Sequence, residues 1–249
     1  MYEIADNFNE HSLDEATNNI ISRNTGVIII DTCCILDIIR IPLRSSNYLN
    51  AISILDIVIE VVSMAKSNPP QISLVIPPLI LKEFNDHVEH TIIEIKNSIT
   101  DFNEQYKILF SIAGRYNSNM GTGLLISKLH ILDELHKLCS DLIDYGIHLG
   151  EDKECTNEAM SRSIRKTPPA KKGTSQDSYI YLHGINLISK LRKRGFRKNC
   201  IFFTTNTNDY CEKKGHLFEN IDKELSKLTA ILRYDWLQLY ETIIENNNE

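Results

Sequence analysis

Three short apolar runs constrain this chain more than any other feature. Val27 to Ile30 in "GVIIID" places four β-branched residues in a row, "ISLVI" covers Ile72 to Ile76, and "CIFFTT" covers Cys200 to Thr205. Runs this short, without polar alternation, read as strands covered on both faces, and long segments with helical apolar spacing separate them. Strands alternating with helices imply a parallel sheet whose right-handed crossovers send every strand's C-terminal end to one edge. The predicted fold class is therefore α/β, a central parallel sheet flanked by helices.

The segments between the strands carry their own punctuation. Ser12 followed by Glu15 has the spacing of a helix capping box, so a short helix precedes the first strand, predicted over Val27 to Asp31. A helix through about Ile39 follows it, and "YLNAISILDIVIEVVSMAKS" forms the next, ending before Asn68-Pro69-Pro70. Pro77-Pro78 stops the second strand and "LILKEFNDHVEHTIIEIKNSI" opens a long amphipathic helix with Glu83 in its first turns. From there to about Ser163 the pattern stays helical and shows no convincing strand. It has one break at "NSNMGTG" and a second helix, "LLISKLHILDELHKLCSDLIDYG". This predicts a helical insertion over 85–165 inside a single domain spanning 1–249. The loop "RKTPPAKKGTSQ" closes it, and Thr174 or Ser175 is placed to cap a helix carrying Asp177 in its first turn. After the third strand come a turn, "NTNDY", a short strand near Ile231 to Tyr234 and a terminal helix.

Composition narrows the class further. A content of 42% hydrophobic residues over 249 positions suffices for a full core. No run approaches the roughly 18 apolar residues of a membrane span, and "MYEIADNFNE" lacks the basic start and apolar core of a signal peptide. The six cysteines (33, 34, 139, 155, 200 and 211) include no C-x-x-C pair, which suits neither a zinc site nor a disulfide framework. The expectation is a soluble, cytoplasmic protein with reduced thiols. Charge is unevenly spread: between Glu158 and Asp209 stand eleven Lys and Arg residues and one acid, Asp177. That segment carries +10 and the remainder −16 within a total of −6, the mark of a surface that meets a polyanion.

Four acids then gather at the C-terminal edge of the expected sheet. Asp31 closes the first strand, Glu83 lies about one helical turn past the second, Asp177 begins a helix and Asp209 follows the third strand by four residues. Each has an ordinary structural explanation: a helix cap, a solvated helix residue, a favourable charge at a helix N-terminus and a turn former. All four at one edge are harder to explain separately. Carboxylates brought together resist ionisation and recruit divalent cations, and oxygen donors of this kind suit Mg²⁺ or Mn²⁺.

The segments "IIIDTCCILDI", "SLVIPPLILKEF", "GTSQDSYIYLHG" and "IFFTTNTNDY" stand in the order and spacing of the four acidic motifs of PIN-domain nucleases, which the chain resembles. The resemblance covers roughly 26–84 and 171–240, leaves the central helices unmatched, and is nearest to the longer bacterial members. It implies a PIN-like fold in which Asp31, Glu83, Asp177 and Asp209 bind the metal and carry catalysis, with Thr32 and Asn206 in support. Two positions depart from the pattern: Cys33 stands where Asn is common, and Asn206 where some members have their fourth acid. The fourth ligand is therefore open between Asp209 and Asn206.

The reaction implied is metal-dependent phosphodiester hydrolysis, with the nucleic acid most readily RNA, single-stranded or structured. Arg165, Lys166, Lys171 and Lys172 precede Asp177 and are placed to neutralise substrate phosphates, or else form a solvated loop. "KLRKRGFRK", residues 190–198, joins a helix end to a strand start and belongs at the opposite edge. His87 and His90 in "HVEH" lack the zincin spacing and read as a solvated helix face. Two alternatives stay open: an inactive PIN-like RNA-binding or scaffold protein, and a haloacid-dehalogenase-type phosphatase, for which Cys33 occupies the place of the required general acid. A toxin and antitoxin pair or a phage-defence role, an inhibitory protein partner and a homo-oligomer are all compatible with the resemblance.

Overall fold

The computed structural model describes residues 2–44, 48–115, 130–213 and 215–247. Its centre is β1 (Gly26–Ile30), buried from Val27 onward and paired in parallel with β2 (Ile72–Ile76) on one side and β4 (Cys200–Phe203) on the other. Beyond β2 lies β3 (Ile147–His148), and beyond β4 lies β7 (Ile231–Arg233), giving a five-stranded parallel sheet in the order β3-β2-β1-β4-β7. The register sets Ile29 beside both Val75 and Phe202, so β-branched and aromatic side chains interlock across the middle of the sheet. The expected fold class, a parallel sheet flanked by helices, is what the chain adopts.

The helices fall into two groups. Thr32–Arg44 (α2) packs against Tyr48–Lys66 (α3), Ile80–Gly114 (α4) and Ile131–Asp144 (α5). Gln176–Lys193 (α7) packs against Leu13–Arg23 (α1) and Lys153–Arg165 (α6). The capping box of α1 is present: the Ser12 hydroxyl accepts from the Glu15 N–H at 3.3 Å while Glu15 accepts from the Ser12 N–H at 2.8 Å. Gly184 lets α7 lie close to the sheet. A Cβ there would stand 3.0 Å from Ile29 Cγ2 and 3.3 Å from Phe202 Cδ2. At the far edge Gly146 does the same for β3, since a Cβ would meet Ile76 Cγ1 at 2.4 Å.

Several expectations are corrected. The region between Glu83 and Asp177 is not strandless: β3 extends the sheet there, too short at two residues to leave a periodic signal. The helix after β1 runs on to Arg44 rather than Ile39, and β4 ends at Phe203. Ser175 occupies the N-cap of α7, but its side chain makes no capping bond. "NTNDY" contains a one-turn helix, α8 (Thr207–Tyr210), followed by an unanticipated antiparallel pair, β5 (Cys211–Lys213) with β6 (His216–Leu217). Helix α9 (Glu219–Lys227), β7 and α10 (Trp236–Asn247) complete the chain, β7 falling on the expected segment. The break at "NSNMGTG" and the start of the following helix, 124–129, lie outside the described residues. All six cysteines are free, and among the described residues no helix is long and apolar enough to cross a membrane.

Candidate active site

Strand order reverses at β1: the chain moves outward through β2 and β3 on one side, then returns to β4 and β7 on the other. A parallel sheet opens a crevice beyond the strand ends at such a switch point. The residue after β1 is Asp31, whose N–H donates to Phe203 O at 3.0 Å, continuing the ladder by one step. The same register, Ile30 beside Phe203, sets Thr204 alongside Asp31, and the Thr204 hydroxyl donates to Asp31 Oδ2 at 2.6 Å. The Cys33 thiol lies 3.3 Å from the same oxygen. Asp31 is 4% exposed. Its burial lifts the carboxyl well above the ordinary range; the neighbouring Cys33 and Asp177 add to the rise and the Thr204 bond offsets part of it. Cys33 itself is drawn down to about 6, first by its hydrogen bond with the Cys34 thiol.

Glu83 arrives from β2 through a backbone reversal. Pro77-Pro78 ends the strand, Leu79 adopts a left-handed φ of 74°, and α4 begins at once, with the Glu83 N–H bonded to Leu79 O at 2.8 Å. The Thr32 hydroxyl, at the start of α2, donates to Glu83 Oε2 at 2.6 Å. Burial raises this carboxyl too. Asp177 stands in the first turn of α7, which runs back against the strands and so presents its N-terminus at the same edge. Its carboxyl is lifted to about 6 by burial first, then by the charges of Asp209, Glu83 and Cys33. Asp209, on α8, is buried.

The Asn206 amide ties two of these acids together, donating to Asp209 Oδ2 at 2.7 Å and to Asp177 Oδ1 at 3.3 Å. Beneath them an aromatic cluster fixes α7, β4 and α8 relative to one another. The Tyr181 ring lies 5.3 Å from that of Phe202 and 5.9 Å from that of Tyr210, and the Tyr210 hydroxyl donates to Asp177 O at 3.4 Å.

The four sequence-predicted acids therefore share one edge, with Thr32 and Asn206 as their direct partners. Both Asp209 and Asn206 point into the site, and Asn206 acts as a donor between acids rather than as a replacement for one. Of the basic candidates, Lys172 reaches in, its Nζ 3.2 Å from Asp209 Oδ2. Lys171 lies over the Phe218 ring, 4.9 Å from its centroid. Arg165 and Lys166 end α6 exposed, and among the described residues no ion pair joins them to the acids. The loop carrying these residues is anchored rather than free. Pro168 O accepts from Arg162 at 3.3 Å and from Asn220 at 2.9 Å, and the Ser163 hydroxyl donates to Gly173 O. Arg162 in turn pairs with Glu224 at 2.5 Å. Thr204 and Arg162 are contributors that sequence reasoning missed, and for Thr204 the signal was available only through the pairing register; Cys33, singled out as a departure from the pattern, itself reaches Asp31 while Thr32 serves Glu83. His87 and His90 are exposed, as expected of a solvated helix face.

Among the described residues no three His, Cys, Asp or Glu side chains are close enough for simultaneous metal ligation. In chemistry, though not in spacing as they stand, the four carboxylates suit a hard divalent cation, and among the described residues Asp31, Glu83 and Asp177 accept from neutral hydroxyl, thiol or amide donors. Their raised proton affinity comes first from burial, and at Asp31 and Asp177 neighbouring negative groups add to it; a bound cation would favour the ionised form. No family model matches the chain, and searches of curated proteins and of solved structures found no match.

Proposed function

We propose that the chain is a divalent-metal-dependent phosphodiesterase, a nuclease of PIN-like type acting on RNA. The observation that carries this reading is the placement of Asp31, Glu83, Asp177 and Asp209 at the switch-point edge of a parallel sheet, the first three without a salt bridge among the described residues. In this reading Asp31, Glu83, Asp177 and Asp209 would provide the oxygen ligands for Mg²⁺ or Mn²⁺, which would supply Lewis acidity and an acidified water when bound. The chain's own residues set the geometry. Thr204 and Thr32 each hold one carboxylate oxygen, the other taking no hydrogen bond among the described residues, while Asn206 ties Asp177 to Asp209. Lys172, already at the rim, and Lys171 on the same anchored loop provide cations for substrate phosphates. Six free thiols and the absence of a membrane-length apolar helix among the described residues support placing this activity in the cytoplasm.

The deciding experiment incubates labelled single-stranded and hairpin RNA, with DNA of matching sequence, with the purified chain in EDTA, Mg²⁺ and Mn²⁺. Cleavage that EDTA abolishes, Mn²⁺ restores and Asp31→Asn removes is the expected result. One feature favours a second reading, an RNA-binding protein without catalysis: the Asn206 amide and the Lys172 ammonium already stand between or beside the acids. Under that reading RNA binds equally in EDTA and in Mn²⁺, and no condition produces cleavage.

A further inference from the structure

The basic run "KLRKRGFRK", residues 190–198, joins the end of α7 to the start of β4, at the sheet edge opposite the acids, and has no part in the proposed reaction. Its cations have different partners. Lys190 and Arg194 are neutralised by Asp14, at 3.0 and 2.9 Å. The Arg192 guanidinium is committed to backbone carbonyls: it donates to Phe196 O at 2.8 Å and Lys198 O at 2.9 Å, and to Leu228 O at 2.8 Å and Thr229 O at 3.0 Å. Together with Gly195, at a left-handed φ of 82°, that grip fixes the turn leading into β4. Arg197 and Lys198 ride on this turn, exposed, and neither has an ionic partner among the described residues. Both lie past the end of α7, beyond the last turn in which a cation complements the helix dipole.

These two cations line a cavity of about 320 Å³ at the N-terminal ends of β1, β2 and β4, a size at the lower end of small-ligand sites. Part of its lining is apolar: Val27, Ile72, Ile201 and Ile243 are each at most 4% exposed. The rest is neutral, including the exposed amides of Asn24 and Gln71, and among the described residues no carboxylate lines it. Gly26 lines it too, and a Cβ there would meet only Asn199 O, at 3.8 Å, so the missing side chain leaves the cavity open. Two unpaired cations beside apolar surface and neutral amides suit a ligand with a flat, weakly polar body and an anionic end. We propose that this cavity binds a nucleoside monophosphate, its phosphate held by Arg197 and Lys198 and its base against the apolar lining with the Asn24 and Gln71 amides at the base edge. The same chemistry occurs free and at the phosphorylated end of an RNA strand. The site is separate from the acidic edge and stands or falls independently of the nuclease reading.

Isothermal titration calorimetry of the full chain in EDTA tests it, with AMP, GMP, CMP, UMP and a short 5′-phosphorylated RNA as probes; EDTA keeps divalent cations from the acidic edge. The expected result is saturable binding of one ligand per chain, with the matching nucleoside and inorganic phosphate each weaker by about tenfold or more, because each engages only part of the cavity. Tighter binding of the mononucleotide or of the RNA identifies which source supplies the ligand. Arg197→Glu and Lys198→Glu should each weaken binding by about tenfold or more, and Gly26→Leu should abolish it by filling the cavity. Lys193→Glu makes the same change of charge at an exposed position outside the cavity and should keep the affinity within about twofold. Circular dichroism of each variant separates lost binding from lost folding; since Arg197 and Lys198 are exposed, those two variants should keep the fold. No saturable binding of any probe, an Arg197→Glu or Lys198→Glu variant that binds like wild type, a folded Gly26→Leu variant that still binds, or equal weakening by Lys193→Glu would each overturn the proposal.

Discussion

Replacing Asp177 with Asn should stabilise the metal-free protein near neutral pH. In the folded chain this carboxyl is lifted from 3.8 to about 6 by burial and by Asp209, Glu83 and Cys33. A group whose folded pKa lies above its unfolded value favours folding when protonated, so stability is greatest below about 3.8 and is lost as pH rises through about 6. Above pH 7 the loss is on the order of 3 kcal/mol. Asn keeps the oxygen that accepts from Asn206 and removes the charge. It also gives up a favourable negative charge in the first turn of α7, worth about 0.3–1 kcal/mol. The net expectation is a gain of about 2 kcal/mol, or about 4–8 °C in Tm for a chain of this length. Urea unfolding followed by circular dichroism in EDTA, from pH 4.5 to 8, should show wild type and variant drawing apart up to about pH 6 and running parallel above pH 7. Adding Mn²⁺ should then stabilise wild type more than the variant, since binding to the folded state alone adds to stability. A variant less stable than wild type by 1 kcal/mol or more at pH 7.5 would refute this account and make Asp177 a structural helix-start residue.

Thr204→Val should remove the 2.6 Å donor to Asp31, cost about 1–3 kcal/mol in chemical denaturation, and raise the proton affinity of Asp31 further, measurable by carboxyl NMR titration. Gly184→Ala should destabilise by about 1–3 kcal/mol, because the new methyl meets Ile29 and Phe202 where neither can retreat from the sheet. Lys171→Ala with Lys172→Ala should flatten the salt dependence of RNA binding by about one unit of log-log slope per lost contact, read by fluorescence anisotropy. Lys193→Ala with Arg194→Ala removes the same charge at the opposite edge and should change it little.

Much of the architecture was legible because it rests on local composition. Short β-branched runs cannot be solvated strands, so β1 and β2, and most of β4, announced themselves, and Asp31 followed from its place after β1. Glu83 and Asp177 were readable for the same reason, each near the start of a helix whose beginning the sequence marks with proline or a capping residue. What stayed hidden was everything set by pairing between distant segments. Thr204 reaches Asp31 only because β4 aligns with β1 at Ile30 beside Phe203, and a one-residue slip would turn it to the other face. Sequence left the basic loop open between a phosphate-binding and a solvated segment; Arg162, Glu224 and Asn220 fasten it, and Lys172 rather than Arg165 reaches the acids. β3 is two residues long and carries no period of its own; it is a strand because β2 offers an unpaired edge and Gly146 permits the approach. Local propensity and periodicity act over a few residues and can be read along the chain, whereas register, ion pairs and the raised proton affinity of the acids arise from which atoms the closed fold brings within a few ångströms.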